Sequence, residues 1–191
     1  MFDAPSRNKP TGTWITPDEG MYDAFVFDAE LVPNPFYAAG EPDYKKHQIK
    51  WTLYEFDDSL GEIPAGSPDD AKWSKRLTYF TGTRLGWHKK NKLTGFLRLV
   101  DPNFVYDEEA NDGAGEMTTY ADLDAIKAAT VRQSVRVITS HNVKKTDDGV
   151  NTYQQIEKTL GSSHAPLPTA EYLAMKTGGN VSVADDEEIP F

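Results

Sequence analysis

Cysteine is absent from the 191 residues, which excludes disulfides, thiolate metal centres and cysteine nucleophiles. Long apolar runs are absent too. None approaches the roughly 18 residues of a membrane-spanning helix, and Met1 to Pro10 lacks the charged-then-apolar layout of a signal peptide. A soluble, cytoplasmic protein with no membrane partner is expected. Glycine has no fixed period, and 38% apolar with 12% aromatic residues predicts a packed core rather than a disordered chain. The chain also lacks a Gly-Lys-Ser/Thr phosphate loop, His-Glu-x-x-His, Gly-x-Ser-x-Gly and any paired spacing of its four histidines, His47, His88, His141 and His164. Asp57-Asp58 and Asp69-Asp70 read as solvated turns in Gly/Pro/Ser-rich loops rather than as Mg²⁺ ligands of a nuclease. No catalytic residue, metal or cofactor is expected.

Basic charge is in deficit: 20 Lys+Arg stand against 30 Asp+Glu, a net charge of -10. Taken whole, that argues against a nucleic-acid partner, because phosphate binding runs on Lys and Arg. The deficit is local, however. From Gly161 onward there are five acids and one base, and Asp101 to Asp124 holds eight acids and no base. Without those two stretches the chain has 19 bases and 17 acids, net +2. The bases cluster as Lys45-Lys46 with Lys50, as Lys72, Lys75 and Arg76, as Arg84 with Lys89, Lys90, Lys92 and Arg98, and as Arg132 with Arg136.

Periodicity gives the elements. Residues 21–32 alternate, with Met21, Phe25, Phe27 and Leu31 on the expected buried side. A proline-rich loop follows over 33–43. Residues 47–56 put Ile49, Trp51 and Leu53 on one side and Lys50, Thr52, Tyr54 and Phe56 on the other; residues 74–81 alternate Leu77 and Tyr79 with Arg76, Thr78 and Phe80. Leu93, Phe96, Leu97 and Val100 then follow helical spacing, and Asp101-Pro102 ends the helix. A second short helix is predicted from Thr119 through Leu123, Ile126 and Lys127, with Thr118 or Thr119 as its cap. Residues 131–139 alternate Val131, Val135 and Val137 with Arg132, Ser134 and Arg136, and Asp147-Asp-Gly149 predicts a hairpin into a last strand at 150–160. Three strands, a helical insertion and two strands predict a mainly β domain over 1–160, an OB-fold-like five-stranded Greek-key barrel. Another small barrel or an α+β sandwich fits the same pattern. Apolar periodicity stops at Gly161, so 161–191 is expected to be a flexible linker and disordered acidic tail, with one helical turn in 171–176.

If the strands bearing Lys50/Thr52/Tyr54, Arg76/Thr78/Phe80 and Arg132/Ser134/Arg136 are neighbours, bases and aromatics interleave on one face. Cations follow phosphates and aromatic rings stack bases without reading sequence, which is what single-stranded nucleic acid requires. The same residue types also suit the solvated side of any antiparallel sheet. The expected nucleic-acid-binding residues are Lys45, Lys46, Lys50, Tyr54, Arg76, Phe80, Arg84, Trp87, Lys89, Lys90, Arg132 and Arg136. Separately, the chain closes on Asp185, Asp186, Glu187, Glu188, Ile189, Pro190 and Phe191, four carboxylates followed by an apolar anchor with a free carboxylate. A solubilising tail has no reason to finish on a hydrophobic group.

Asp185 to Phe191 resembles the acidic tip of bacterial single-stranded DNA-binding proteins. The strand-helix order, with Gly20-Met-Tyr-Asp-Ala-Phe and Lys89-Lys-Asn-Lys-Leu, resembles the OB-fold single-stranded DNA-binding proteins of bacteriophages. The resemblance implies a non-catalytic protein that coats single-stranded DNA and recruits replication, recombination or repair proteins through the tip. The body does not resemble the bacterial protein's own domain, so its tetrameric assembly is not implied, and the oligomeric state stays open. The other class the residues permit is an acidic interaction or inhibitor protein that binds a DNA-processing enzyme without touching DNA.

Overall fold

A computed structural model describes residues 13–86, 91–105, 123–146 and 149–177. Among them are seven strands, β1 (Trp14–Ile15), β2 (Gly20–Pro33), β3 (His47–Glu55), β4 (Lys72–Trp73), β5 (Arg76–Thr81), β6 (Ser134–Thr146) and β7 (Gly149–Leu160). Three helices accompany them: α1 (Lys92–Val100), α2 (Leu123–Thr130) and α3 (Thr169–Lys176). None is long and apolar enough to cross a membrane.

The main sheet is antiparallel with five strands in the order β5-β3-β2-β6-β7, and β1 pairs with β4 in a small parallel clip. The long β2 makes this order possible. Its first half, Gly20 to Phe25, pairs with β6, and its second half, Ala24 to Pro33, pairs with β3. A bulge between Val26 and Asp28 re-aims the strand where it changes partner. The five strands expected as a barrel form an antiparallel sheet that is not closed: no backbone ladder joins β5 to β7. The curled sheet nevertheless brings these edges within 8 Å between Cα atoms.

The concave face is the core. Ile49, Trp51, Leu53, Leu77, Val135 and Val137 are buried there as the alternation predicts. α1 lays Leu93, Phe96, Leu97 and Val100 over them, with the Phe96 ring 4.7 Å from Trp51 and 5.2 Å from Tyr79. Such a buried aromatic contact is worth about 3–5 kcal/mol on truncation of the phenylalanine. The Trp51 indole N–H donates to Thr81 Oγ1 at 2.9 Å, so the polar edge of the ring is satisfied. On β2, however, the expected parity is reversed. Tyr22, Ala24 and Val26 face the core, Ala29 joins them after the bulge, and Met21 and Leu31 are exposed. Phe25 is buried on the opposite, outer face, where it meets Tyr54 and Phe56.

The cause of that second apolar layer is residues 161–177, the start of the expected flexible linker, which lie packed on the outer face. Ser162 Oγ donates to Asp23 Oδ1 at 2.7 Å, the His164 ring stacks on Phe56, and Leu167 is buried. Tyr172 of α3 packs its ring 5.4 Å from Phe27. Arg132 fastens the segment: its guanidinium donates to the Leu167 carbonyl and Thr169 Oγ1, and its own carbonyl accepts from the Leu167 N–H. Arg132 holds a left-handed backbone, φ 73°, in the turn from α2 into β6, a conformation that costs a non-glycine residue about 1–2 kcal/mol.

Candidate nucleic-acid interface

Register decides which outer-face side chains are neighbours. On β3 and β5, Lys50 lies opposite Phe80, Thr52 opposite Thr78, and Tyr54 opposite Arg76. This half of the predicted face therefore exists as a strip of two bases, two aromatics and two threonines. The third strand does not join it, because β2 lies between β3 and β6. β2 presents acids to its neighbours: Glu30 pairs with Lys50 at 2.9 Å, Asp28 with Lys127 at 2.9 Å, and Asp23 with Arg136 through two hydrogen bonds of 3.0 and 2.8 Å. The Arg136 hydrogen bond, above all, holds the Asp23 carboxyl below its ordinary range, with Ser162 adding to it. Arg132 and Arg136 are thus engaged with the protein itself.

At one end of the strip is a groove of about 400 Å³ between the β2–β3 loop, the end of β5 and the start of α1. Its walls include Phe36, Lys45, His47, Phe80, Arg84 and Lys92, and among the described residues no carboxylate side chain lines it. Phe36 is 86% and Phe80 42% exposed, an unusual pairing of rings left in water. Asn34 shapes the loop: its side chain donates to the Lys45 carbonyl at 2.9 Å and accepts from the Phe36 N–H at 3.0 Å. On the opposite wall Asn91 caps α1 by accepting from the Thr94 N–H and donates to the Arg84 carbonyl. Gly86 permits that approach, since a Cβ there would lie 2.6 Å from Asn91 Nδ2. Lys92 sits 5.8 Å from the Tyr79 ring centre, and Lys45 bonds Glu41 at 2.8 Å on the exposed rim.

At the other end Tyr54 and Arg76 border a second depression with Trp14, Lys72, Trp73, Lys75 and Met175. Of the residues expected to bind nucleic acid, Lys45, Phe80 and Arg84 meet in the groove, Lys50 adjoins Phe80, and Tyr54 with Arg76 form the far end. Lys46 is turned to Asp43 and the Tyr37 ring. Trp87, Lys89, Lys90, Thr118, Thr119, Asp147, Asp148, residues 106–122 and the tip Asp185 to Phe191 lie outside the described residues. Phe36, His47 and Lys92 line the groove although the sequence reading did not count them as binding residues. The available signal was an aromatic in a proline-rich loop, where no strand needs it. Among the described residues no group of three or more His, Asp or Glu side chains converges to hold a metal.

No protein family and no curated protein matches the sequence. Function therefore rests on the chemistry of the strip and groove.

Beneath the far end of the strip lies a buried acid. Glu55 is 2% exposed, both its carboxyl oxygens are without a hydrogen-bond partner, and so is the buried Gln154 Oε1. Burial raises the Glu55 pKa to about 8, opposed by Gln154 and the Lys75 ammonium. The carboxyl is therefore neutral at pH 7.

Proposed function

We propose that the protein is a non-catalytic single-stranded DNA-binding protein of the OB-fold type found in bacteriophages, coating DNA with little sequence preference. The observation that carries this reading is the groove, in which two exposed rings, Phe36 and Phe80, stand among Lys45, Arg84 and Lys92 and no described carboxylate forms a wall. Stacking platforms interleaved with cations bind single strands and leave base edges unread, so affinity is broad and falls with salt. The strand order and the helical insertion between β5 and β6 agree with a partly open OB barrel, a fold that binds along such a strip. The acidic tip, Asp185 to Phe191, would recruit replication or repair proteins in the host cytoplasm.

The test is titration with oligothymidylate at several salt concentrations. Five cations at the strip, Lys45, Lys50, Arg76, Arg84 and Lys92, predict a log–log salt slope near roughly -3.5. Salt-independent binding, or no binding at low salt, overturns the proposal; the latter result leaves the acidic interaction protein as the reading.

A further inference from the structure

The second depression is more than the end of the strip. It has a volume of about 660 Å³, within the range of small-molecule sites, and it lies at the opposite end of β3 and β5 from the groove. Three aromatic rings border it, Trp14, Tyr54 and Trp73, together with the cations Lys72, Lys75 and Arg76. Among the described residues no carboxylate lines it, in a chain with ten more acids than bases. Lys72 and Arg76 form no ion pair among the described residues. Trp14 is 52% exposed, and the buried indole N–H of Trp73 has no acceptor among the described residues.

The local structure explains why these groups converge. β1 pairs in parallel with β4 and sets Trp14 beside Lys72 and Ile15 beside Trp73. Backbone hydrogen bonds from the Lys72 N–H to the Thr13 carbonyl and from the Ser74 N–H to the Ile15 carbonyl fix the clip. An exposed indole held beside an ammonium and a guanidinium that have no ion pair among the described residues offers a stacking surface with anion-binding groups next to it. A flat heteroaromatic base joined to a phosphate meets both demands.

We propose that this pocket is a separate subsite for one nucleotide, its base stacked on Trp14 and its phosphate held by Lys72 and Arg76. The nucleotide is either free or part of a bound strand. The strand form of the proposal rests on the single-stranded DNA reading above: Phe80 and Arg76 are four residues apart on β5, about 13 Å, so a strand stacked on Phe80 reaches the pocket within a few nucleotides.

The experiment uses the full chain and the indole N–H signals of its four tryptophans, recorded by NMR with thymidine 5′-monophosphate, thymidine, inorganic phosphate and a 12-mer of thymidylate. The monophosphate is expected to shift two indole signals saturably. Trp14→Ala should remove one of those signals and weaken the remaining shift at least tenfold. Arg76→Ala, a change on an exposed side chain, should weaken binding about fivefold or more without altering the spectrum of the free protein, and thymidine should bind more weakly than the monophosphate by a similar factor. Monophosphate that shifts no indole signal while Arg76→Ala keeps full 12-mer affinity, or shifts unchanged by both substitutions, overturns the subsite. Inorganic phosphate binding as tightly as the monophosphate overturns base recognition. Loss of 12-mer affinity in Arg76→Ala with no response to the free monophosphate assigns the pocket to strands alone; response to the monophosphate with equal 12-mer affinity assigns it to free nucleotide. Should the groove reading fail instead, Phe80→Ala leaves 12-mer affinity intact while the monophosphate shifts persist.

Discussion

The outer face of the sheet has two halves made of similar residues with different occupations. On β3 and β5, Lys50, Tyr54, Arg76 and Phe80 stand in a strip that runs past the buried Thr52, from a groove with no described carboxylate in its walls to an aromatic pocket. On β2 and β6, Arg136 is matched to Asp23, Lys127 to Asp28, and the aromatics Phe25 and Phe27 lie under Tyr172 and the 161–177 segment. A base on the solvent side of a strand is thus a binding group or a structural one according to the strand beside it. β2, with Asp23, Asp28 and Glu30, draws the boundary.

The largest effect should come from the open half. Phe36→Ala combined with Phe80→Ala removes two stacking surfaces, each worth roughly 1–3 kcal/mol, so single-strand affinity should fall by about 30-fold or more, with thermal stability nearly unchanged because both rings are exposed. Equal losses from Arg136→Ala would erase the distinction between the halves.

Much of this arrangement was legible in the sequence, and the failures have physical causes. Trp51, Leu53 and Leu77 announce their face by alternation, and α1 by its spacing, because each buries one side only. β2 misled because both its sides are covered: Ala24 and Val26 face the core while Phe25 and Phe27 lie under residues 161–177. The larger rings then point to the wrong core. Residues 161–168 lacked periodicity because they dock through single contacts, Ser162, His164 and Leu167, rather than as a regular element, whereas the helical turn expected in 171–176 lies within α3. The groove was half-read, since its strand residues obey parity but Phe36 and Lys92 come from a loop and a helix start.

Next in size is a pH effect beneath the open half. The Glu55 pKa is raised to about 8 against an ordinary 4.5, chiefly by burial. A folded-state value above the unfolded one means that the contribution is whole below about pH 4.5 and diminishes as pH rises through 8, because the unfolded chain releases its proton first. Glu55→Gln keeps the shape and carries no charge. It should gain roughly 2–3 kcal/mol over the parent at pH 9 and little at pH 4, read by urea unfolding at both pH values. A parallel pH profile for the two proteins would show that the carboxyl ionises freely.

The paired half should respond in stability rather than in binding. Asp23→Ala strands the Arg136 guanidinium and releases Ser162, and should cost about 2 kcal/mol at pH 7. The Asp23 pKa is lowered, so its contribution is present above about pH 4 and is lost as pH falls through the depressed value. The deficit of the variant should therefore vanish in acid. Hydrogen exchange should quicken in residues 161–177, while oligothymidylate affinity stays within about twofold. A large affinity loss without destabilisation would place Arg136 in the interface.

The smallest effect tests the boundary itself. Lys50 belongs to the strip by register but shares its ammonium with Glu30 at 2.9 Å, and both side chains are partly exposed. An exposed pair of this kind is worth under about 1 kcal/mol to folding, so Glu30→Ala should barely move the unfolding midpoint. Removing that carboxylate frees Lys50 and removes a negative charge beside the phosphate path, so single-strand affinity should rise about two- to threefold at low salt and converge with the parent at high salt. The direction is diagnostic. A fall would mean that Glu30 positions Lys50 for its phosphate, and no change at any salt would move the boundary of the open half from β2 to β3, leaving Phe80 and the groove without Lys50.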